Sequence, residues 1–214
     1  MSARHFRRTG ALSLAAALIG WSFVSPRLPA SWRTVVQAGV GGALVWVTRA
    51  PLGLGPPRLW AGLRWGSLAA FFVTATVAAT TALAPVRRSM ADRQPPATAP
   101  EWLLLRIPVG TVWSEESAFR GALMAAGSAA FGARGGRLLQ ACAFGLSHIA
   151  DARATGEPVA GTVLVTGTAG WLFGWLAERS GSLATPMLAH LAVNEAGAIA
   201  VLAVRSSGRG ILRP

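Results

Sequence analysis

Two adjacent carboxylates and a guanidinium, Glu115, Glu116 and Arg120, stand in an otherwise apolar stretch from Ile107 to Phe131. On the insertion scale each charge at mid-membrane costs about 2.5–3.5 kcal/mol, so an unpartnered set would be a serious liability. Two later apolar stretches also carry polar groups. One reads Phe144-Gly145-Leu146-Ser147-His148, the other His190-Leu191-Ala192-Val193-Asn194-Glu195. Two of the three histidines in the chain lie in these stretches; His5, in a basic N-terminal arm, reads as a solvated side chain.

Helical spacing separates the roles. Residues advance by about 100° each, so positions i and i+4 share a face. Glu116 and Arg120 have that spacing with the carboxylate first, the favourable order for an ion pair. Glu115 lies about 100° round the helix and is left without that arginine. Desolvation disfavours its anion, which suits a general base. His190 and Asn194 share a face, as do Phe144 and His148, with Phe144 placed to wall the site or hold a substrate. If the three segments converge, a carboxylate and one imidazole can deprotonate water. The other imidazole and the amide can then stabilise an oxyanion, which is the chemistry of peptide hydrolysis inside a membrane.

Each feature also has a structural reading. The charge cluster could hold helices together, and His190 with Asn194 could be polar glue between spans. Glu195 falls on another face and receives no role. Glu115, His148 and His190 would make an acceptable zinc set. No His-Glu-x-x-His is present, however, so no metal or other cofactor is favoured and zinc stands as the alternative. Gly132–Gly136 is a turn rather than a phosphate loop, because it lacks the lysine and hydroxyl such a loop needs. Gly170-x-x-x-Gly174 reads as a close-packing motif, and Cys142, the single cysteine, as a small packed residue.

The elements that must position these groups are membrane helices. Of the 214 residues 52% are hydrophobic and 13% charged, against about 25% charged in soluble domains, and mean hydropathy is +0.46. All 20 basic residues are arginine and the net charge is +12. The arginines sit between apolar runs, where they meet lipid headgroups rather than nucleic acid. The arginine bias points to a GC-rich, bacterial genome and the class to the cell membrane. A span needs about 20 residues. Candidates are Gly10–Ser25, Thr34–Thr48, Trp65–Ala84, Ile107–Phe131, Leu138–Ala150, Pro158–Ala177 and Ser182–Val204. The expected fold is all-α, a polytopic bundle of about seven (six to eight) transmembrane helices. Thr34–Thr48 and Leu138–Ala150 are short, the second a candidate recessed helix, and Arg33 and Arg49 can snorkel to lengthen the first. Arg4, Arg7 and Arg8 ahead of an apolar run resemble a signal peptide, but without a convincing cleavage site an uncleaved first span is the better assignment. Trp32, Trp60, Trp65 and Trp102 fall near span ends, and arginine counts on the two sides give no orientation. The chain divides into residues 1–94 with N-terminal spans and no motif, a proline-containing connection 95–106, a core 107–204, and a polar, frayed tail 205–214.

The order Glu-Glu-x-x-x-Arg, Phe-x-x-x-His, His-x-x-x-Asn, each in its own apolar segment, resembles the CPBP family. These are the CAAX proteases and bacteriocin-processing (Abi) proteins, which include the type II CAAX prenyl endopeptidases. The resemblance runs from Glu115 to Asn194, roughly the C-terminal half. It implies that Glu115 activates water with help from His148, that His190 and Asn194 form the oxyanion hole, and that Glu116 and Arg120 support them. It also implies an all-helical core with the site recessed in a membrane cavity. Family members were long called metalloproteases, although a glutamate-type mechanism without metal is favoured for the prenyl enzymes. The expected partners are membrane lipids and a membrane-associated peptide or protein substrate. A non-catalytic scaffold or immunity-type protein, or a proton-coupled transporter, are the rival functions.

Overall fold

A computed structural model describes residues 3–210, and among them every regular element is helical. The order is α1 (Ala3–Val24), a 3₁₀ turn (Ser25–Arg27), α2 (Ala30–Thr48), α3 (Arg58–Thr81), α4 (Ala84–Asp92) and a single helical turn, α5 (Ala99–Glu101). Two π-wound segments follow, Trp102–Trp113 and Glu116–Leu123. They lead into α6 (Met124–Ser147), α7 (Ile149–Thr155), α8 (Val159–Ser180) and α9 (Ala184–Gly210).

Among the described residues, four stretches are long and apolar enough to cross a bilayer: Ala3–Arg27, Arg58–Thr81, Val159–Ser180 and Ala184–Ser207. Their outer faces are greasy. Phe71, Leu164 and Val165 are each about 70% exposed and Trp46, on α2, is 81% exposed. Apolar surface on that scale demands a non-aqueous neighbour, so the protein is a multi-pass membrane protein.

Glycines set how closely the helices approach. A Cβ on Gly66 would lie 2.7 Å from Leu188, and Thr185 donates its hydroxyl hydrogen to the Gly62 carbonyl at 3.1 Å, which seats α9 against α3. A Cβ on Gly170 would meet the Phe144 ring at 3.1 Å, and one on Gly174 would meet Gln140 at 2.6 Å. The Gly170-x-x-x-Gly174 stripe is therefore the seam between α8 and α6. Gln140, fully buried, closes that seam by donating to the carbonyls of Gly170 at 2.8 Å and Arg137 at 3.1 Å. Gly132 breaks α6 with φ 79°, a backbone conformation that glycine alone adopts without strain. The two arms of this hairpin then meet with the Gly136 Cα 2.9 Å from where a Gly127 Cβ would stand.

Three local expectations change. The stretch from Ile107 is not a plain α-helix but is wound with i→i+5 bonds. Pro108 lacks an N–H to continue the ladder, and the Ser114 hydroxyl takes the carbonyls of Gly110 at 2.5 Å and Thr111 at 3.1 Å. Such windings are rare and frequent at functional sites. Pro100, within the proline-containing connection 95–106, lies in the first turn of a helix, where its missing N–H is not needed. Thr98 caps that turn by accepting from the Glu101 N–H at 3.4 Å. The tail continues α9 as far as Gly210 rather than fraying at Arg205, whose guanidinium donates to the carbonyls of Ala91 at 3.0 Å and Arg93 at 2.8 Å. Residues 211–214 of that tail lie outside the described residues.

One contact ties the N-terminal helices to the polar centre. A Cβ on Gly41 of α2 would stand 2.9 Å from the Ser114 carbonyl, whereas one on Gly39 would meet nothing. Gly41→Leu is expected to lower stability by about 1–3 kcal/mol through overpacking, measured as a fall in the unfolding midpoint in detergent. Gly39→Leu should leave the midpoint within experimental scatter.

Candidate active site

The two adjacent glutamates have different surroundings. Glu116 and Arg120 are fully buried, with Arg120 Nη1 3.1 Å from Glu116 Oε1. The guanidinium also lies over aromatic faces, 3.9 Å from the Phe144 ring centroid and 5.2 Å from that of Phe173. A cation so placed is attracted by the ring quadrupole. The same Glu116 Oε1 accepts a hydrogen bond from Nδ1 of His190 at 2.7 Å. One carboxylate oxygen thus holds both a guanidinium and an imidazole, across the interface between the π-wound segment and α9.

That contact orients His190. With Nδ1–H committed to Glu116, Nε2 points to the other glutamate, 3.8 Å from Glu115 Oε2. The gap is too long for a hydrogen bond. Glu115 Oε2 is buried and, among the described residues, has no hydrogen-bond partner. The rest of the side chain is not sealed off, being 30% exposed.

His148 marks the end of α6. Its backbone N–H turns to the Gly145 carbonyl at 3.1 Å, and its ring Nδ1 takes the Phe144 carbonyl at 2.8 Å in place of the helical N–H. The residue adopts φ −85° and ψ 0°, the bridge region where many active-site residues sit. A carbonyl only accepts, so Nδ1 carries the proton and Nε2 of the neutral ring offers its lone pair. Phe144 stands edge-on to both imidazoles, with centroids 4.6 Å from His148 and 6.2 Å from His190.

Glu115 and His148 line one cavity of about 190 Å³. Its other walls come from Ser114, Ala118 and Phe119 beside Glu115, from Ser147, from α1, the 3₁₀ turn and α2, with Trp21, Ser25 and Gln37 among the contributors, and from Asp151 on α7. His190 sits behind Glu115 rather than on the cavity wall. Asn194 shares its helix face, but its amide donates to the His190 carbonyl at 3.1 Å. The structure therefore brings together Glu115, Glu116, Arg120, Phe144, His148 and His190, and leaves the Asn194 amide turned along α9.

Sequence reasoning missed Gln37, Trp21 and Asp151. Only Gln37 carried a usable signal, as a carboxamide in the middle of an apolar run. Among the described residues no three His, Cys, Asp or Glu side chains gather closely enough to hold an ion. His148 and His190 each commit Nδ1 to an acceptor, which leaves Nε2 as the ring nitrogen open to a water, a substrate or a metal. No step below runs through an ion.

Within the helical bundle a carboxylate, two imidazoles and a buried ion pair thus stand together. Residues 97–196 match the family model described as Type II CAAX prenyl endopeptidase Rce1-like. All three motifs lie inside that segment, and it is the family their order resembles. Over this segment, somewhat less than half of the 214 residues, the chain is similar to the CAAX-type membrane proteases. Neither the curated proteins nor the solved structures contain a match to the chain.

Proposed function

We propose that the protein hydrolyses a peptide bond of a membrane-associated substrate in the cavity lined by Glu115 and His148. The observation that carries this reading is the division of labour between neighbours. Glu116 is consumed by Arg120 and His190, while the Glu115 carboxylate has no hydrogen bond among the described residues and shares a cavity with an imidazole. A water held between the Glu115 carboxylate and Nε2 of His148 gives its proton to Glu115 as its oxygen attacks the carbonyl carbon. The carbonyl π electrons move to oxygen. As the tetrahedral intermediate collapses, the C–N bond breaks and Glu115 returns the proton to the departing nitrogen.

The oxyanion needs donors. His190 supplies one from Nε2 when that nitrogen also carries a proton, with Glu116 as the counter-ion across Nδ1–H. Asn194 supplies a second after its amide swings from the His190 carbonyl. An oxyanion-hole donor is typically worth about 10²–10³ in rate. The helices around the cavity keep bulk water from the intermediate. The substrate reaches the site along the bilayer of the cell membrane, and no nucleic acid takes part.

Purified protein in detergent, assayed on a peptide library, tests this. His148→Ala and His190→Ala are each expected to lower the cleavage rate by about 10²-fold or more. Cys142→Ser, at an exposed position on α6, should leave it unchanged. Substantial activity in either histidine variant would count against the assignment. Flux dependent on a proton gradient, with no cleavage by the unsubstituted protein, would favour a transporter.

A further inference from the structure

We infer that Gln37 is a substrate-binding residue whose carboxamide pairs with the backbone of a peptide laid across the cavity. The inference rests on the cavity being where substrate is held. It assigns the recognition of substrate to helices outside the segment that matches the protease family, since α1 and α2 precede residue 97.

The position of α2 against Glu115 is fixed by three contacts on one helical face. A Cβ on Gly110 would meet the Thr34 hydroxyl at 3.3 Å, and Trp113 Nε1 donates to the Ala38 carbonyl at 3.2 Å. The Gly41 approach to the Ser114 carbonyl completes the set. Thr34, Ala38 and Gly41 follow the i, i+4, i+7 pattern of a single stripe. Gln37, three residues past Thr34 and four before Gly41, stands at the border of that stripe and lines the cavity with Glu115 and His148. The turn that leads into α2 is held as well, because Arg33 donates to the carbonyls of Pro26 at 2.8 Å and Leu28 at 3.1 Å. The glutamine is therefore held by its backbone at a fixed height above the catalytic segment.

Its side chain is not used by the fold. Gln37 is half-buried, and among the described residues its carboxamide has no hydrogen-bond partner. Gln140, by contrast, is committed to the carbonyls of Gly170 and Arg137. A polar group left unmatched inside an apolar bundle is costly. A carboxamide offers two N–H donors and a carbonyl acceptor, the complement of a peptide group. A peptide entering a lipid-shielded cavity has the same need for partners. Charge narrows the occupant further. Glu115 and Asp151 line the cavity and no arginine is among its described lining residues, so the stretch that lies beside Gln37 is neutral backbone rather than a free carboxylate.

The experiment reads binding on a catalytically disabled background, the Glu115→Gln protein in detergent. The probe is the tightest binder from a pooled library of short peptides, each present unmodified and S-farnesylated. Adding Gln37→Leu or Gln37→Ala is expected to raise the dissociation constant about three- to tenfold, the scale of one neutral hydrogen bond. The unfolding midpoint should not move. Replacing backbone amides of the peptide by esters, one at a time, should weaken binding at one position, and at that position cause no further loss once Gln37 is replaced. Equal binding by both proteins, an ester effect that persists without the glutamine, or no peptide binding at all would overturn the inference. Binding that depends on Gln37, in a protein whose unsubstituted form cleaves nothing, would defeat the hydrolysis and leave this inference standing.

Discussion

Glu115→Gln is expected to lower peptide cleavage by about 10²–10⁴-fold, the range general-base catalysis supplies. The substitution keeps the shape of the side chain and removes only its capacity to take a proton. Little else should change. Glu115 is outside the buried ion pair, its Oε2 has no hydrogen-bond partner among the described residues, and His190 Nε2 is 3.8 Å away. The unfolding midpoint in detergent should therefore equal that of the unsubstituted protein. An activity above a tenth of the original, with that midpoint preserved, would remove Glu115 from the role of base.

The neighbouring carboxylate should behave in the opposite way. Arg120→Leu leaves Glu116 fully buried with no guanidinium beside it, and also strips the cation from between the Phe144 and Phe173 rings. Removing one partner of a buried pair costs about 3–5 kcal/mol, because the remaining charge stays uncompensated. That is a large fraction of the roughly 5–15 kcal/mol by which folded domains are stable. Unfolding of the variant in detergent should show a loss of that order. His190 should lose its fixed orientation as Glu116 rearranges. An unchanged unfolding curve would mean that the pair does not hold the bundle together. Two adjacent glutamates, one whose loss removes rate and one whose partner's loss removes fold, form a contrast that mutagenesis can read directly.

Much of this was legible in the sequence, for identifiable reasons. Glu116 and Arg120 pair because a four-residue spacing brings them together on almost any helical winding, and the pairing persists through the π-wound segment. Phe144 meets His148 for the same reason. What depends on tertiary placement was not legible. Nothing in the spacing of His190 says that its Nδ1 would be given to Glu116, seventy-four positions earlier. The shared face of His190 and Asn194 is real, yet the amide finds a carbonyl on its own helix, a choice that periodicity does not express. The i→i+5 winding around Glu115 arises from Pro108 and the Ser114 hydroxyl together, which local patterns read only as an apolar helix. Residues 1–94 carry no motif and so offered no site. Their contribution, a wall with Trp21 and Gln37, exists only once Gly41 lets α2 lie against Ser114.

The central claim is that a water activated at Glu115 opens a peptide bond within the membrane bundle. It is tested most directly by digesting a peptide library with the purified protein in detergent made up in ¹⁸O-water, with products read by mass spectrometry. A discrete set of cleavages is predicted, each new carboxyl terminus carrying one heavy oxygen, and the set should be lost in the Glu115→Gln protein. Intact peptides after prolonged incubation with folded protein, or the same products from the Glu115→Gln protein, would contradict it.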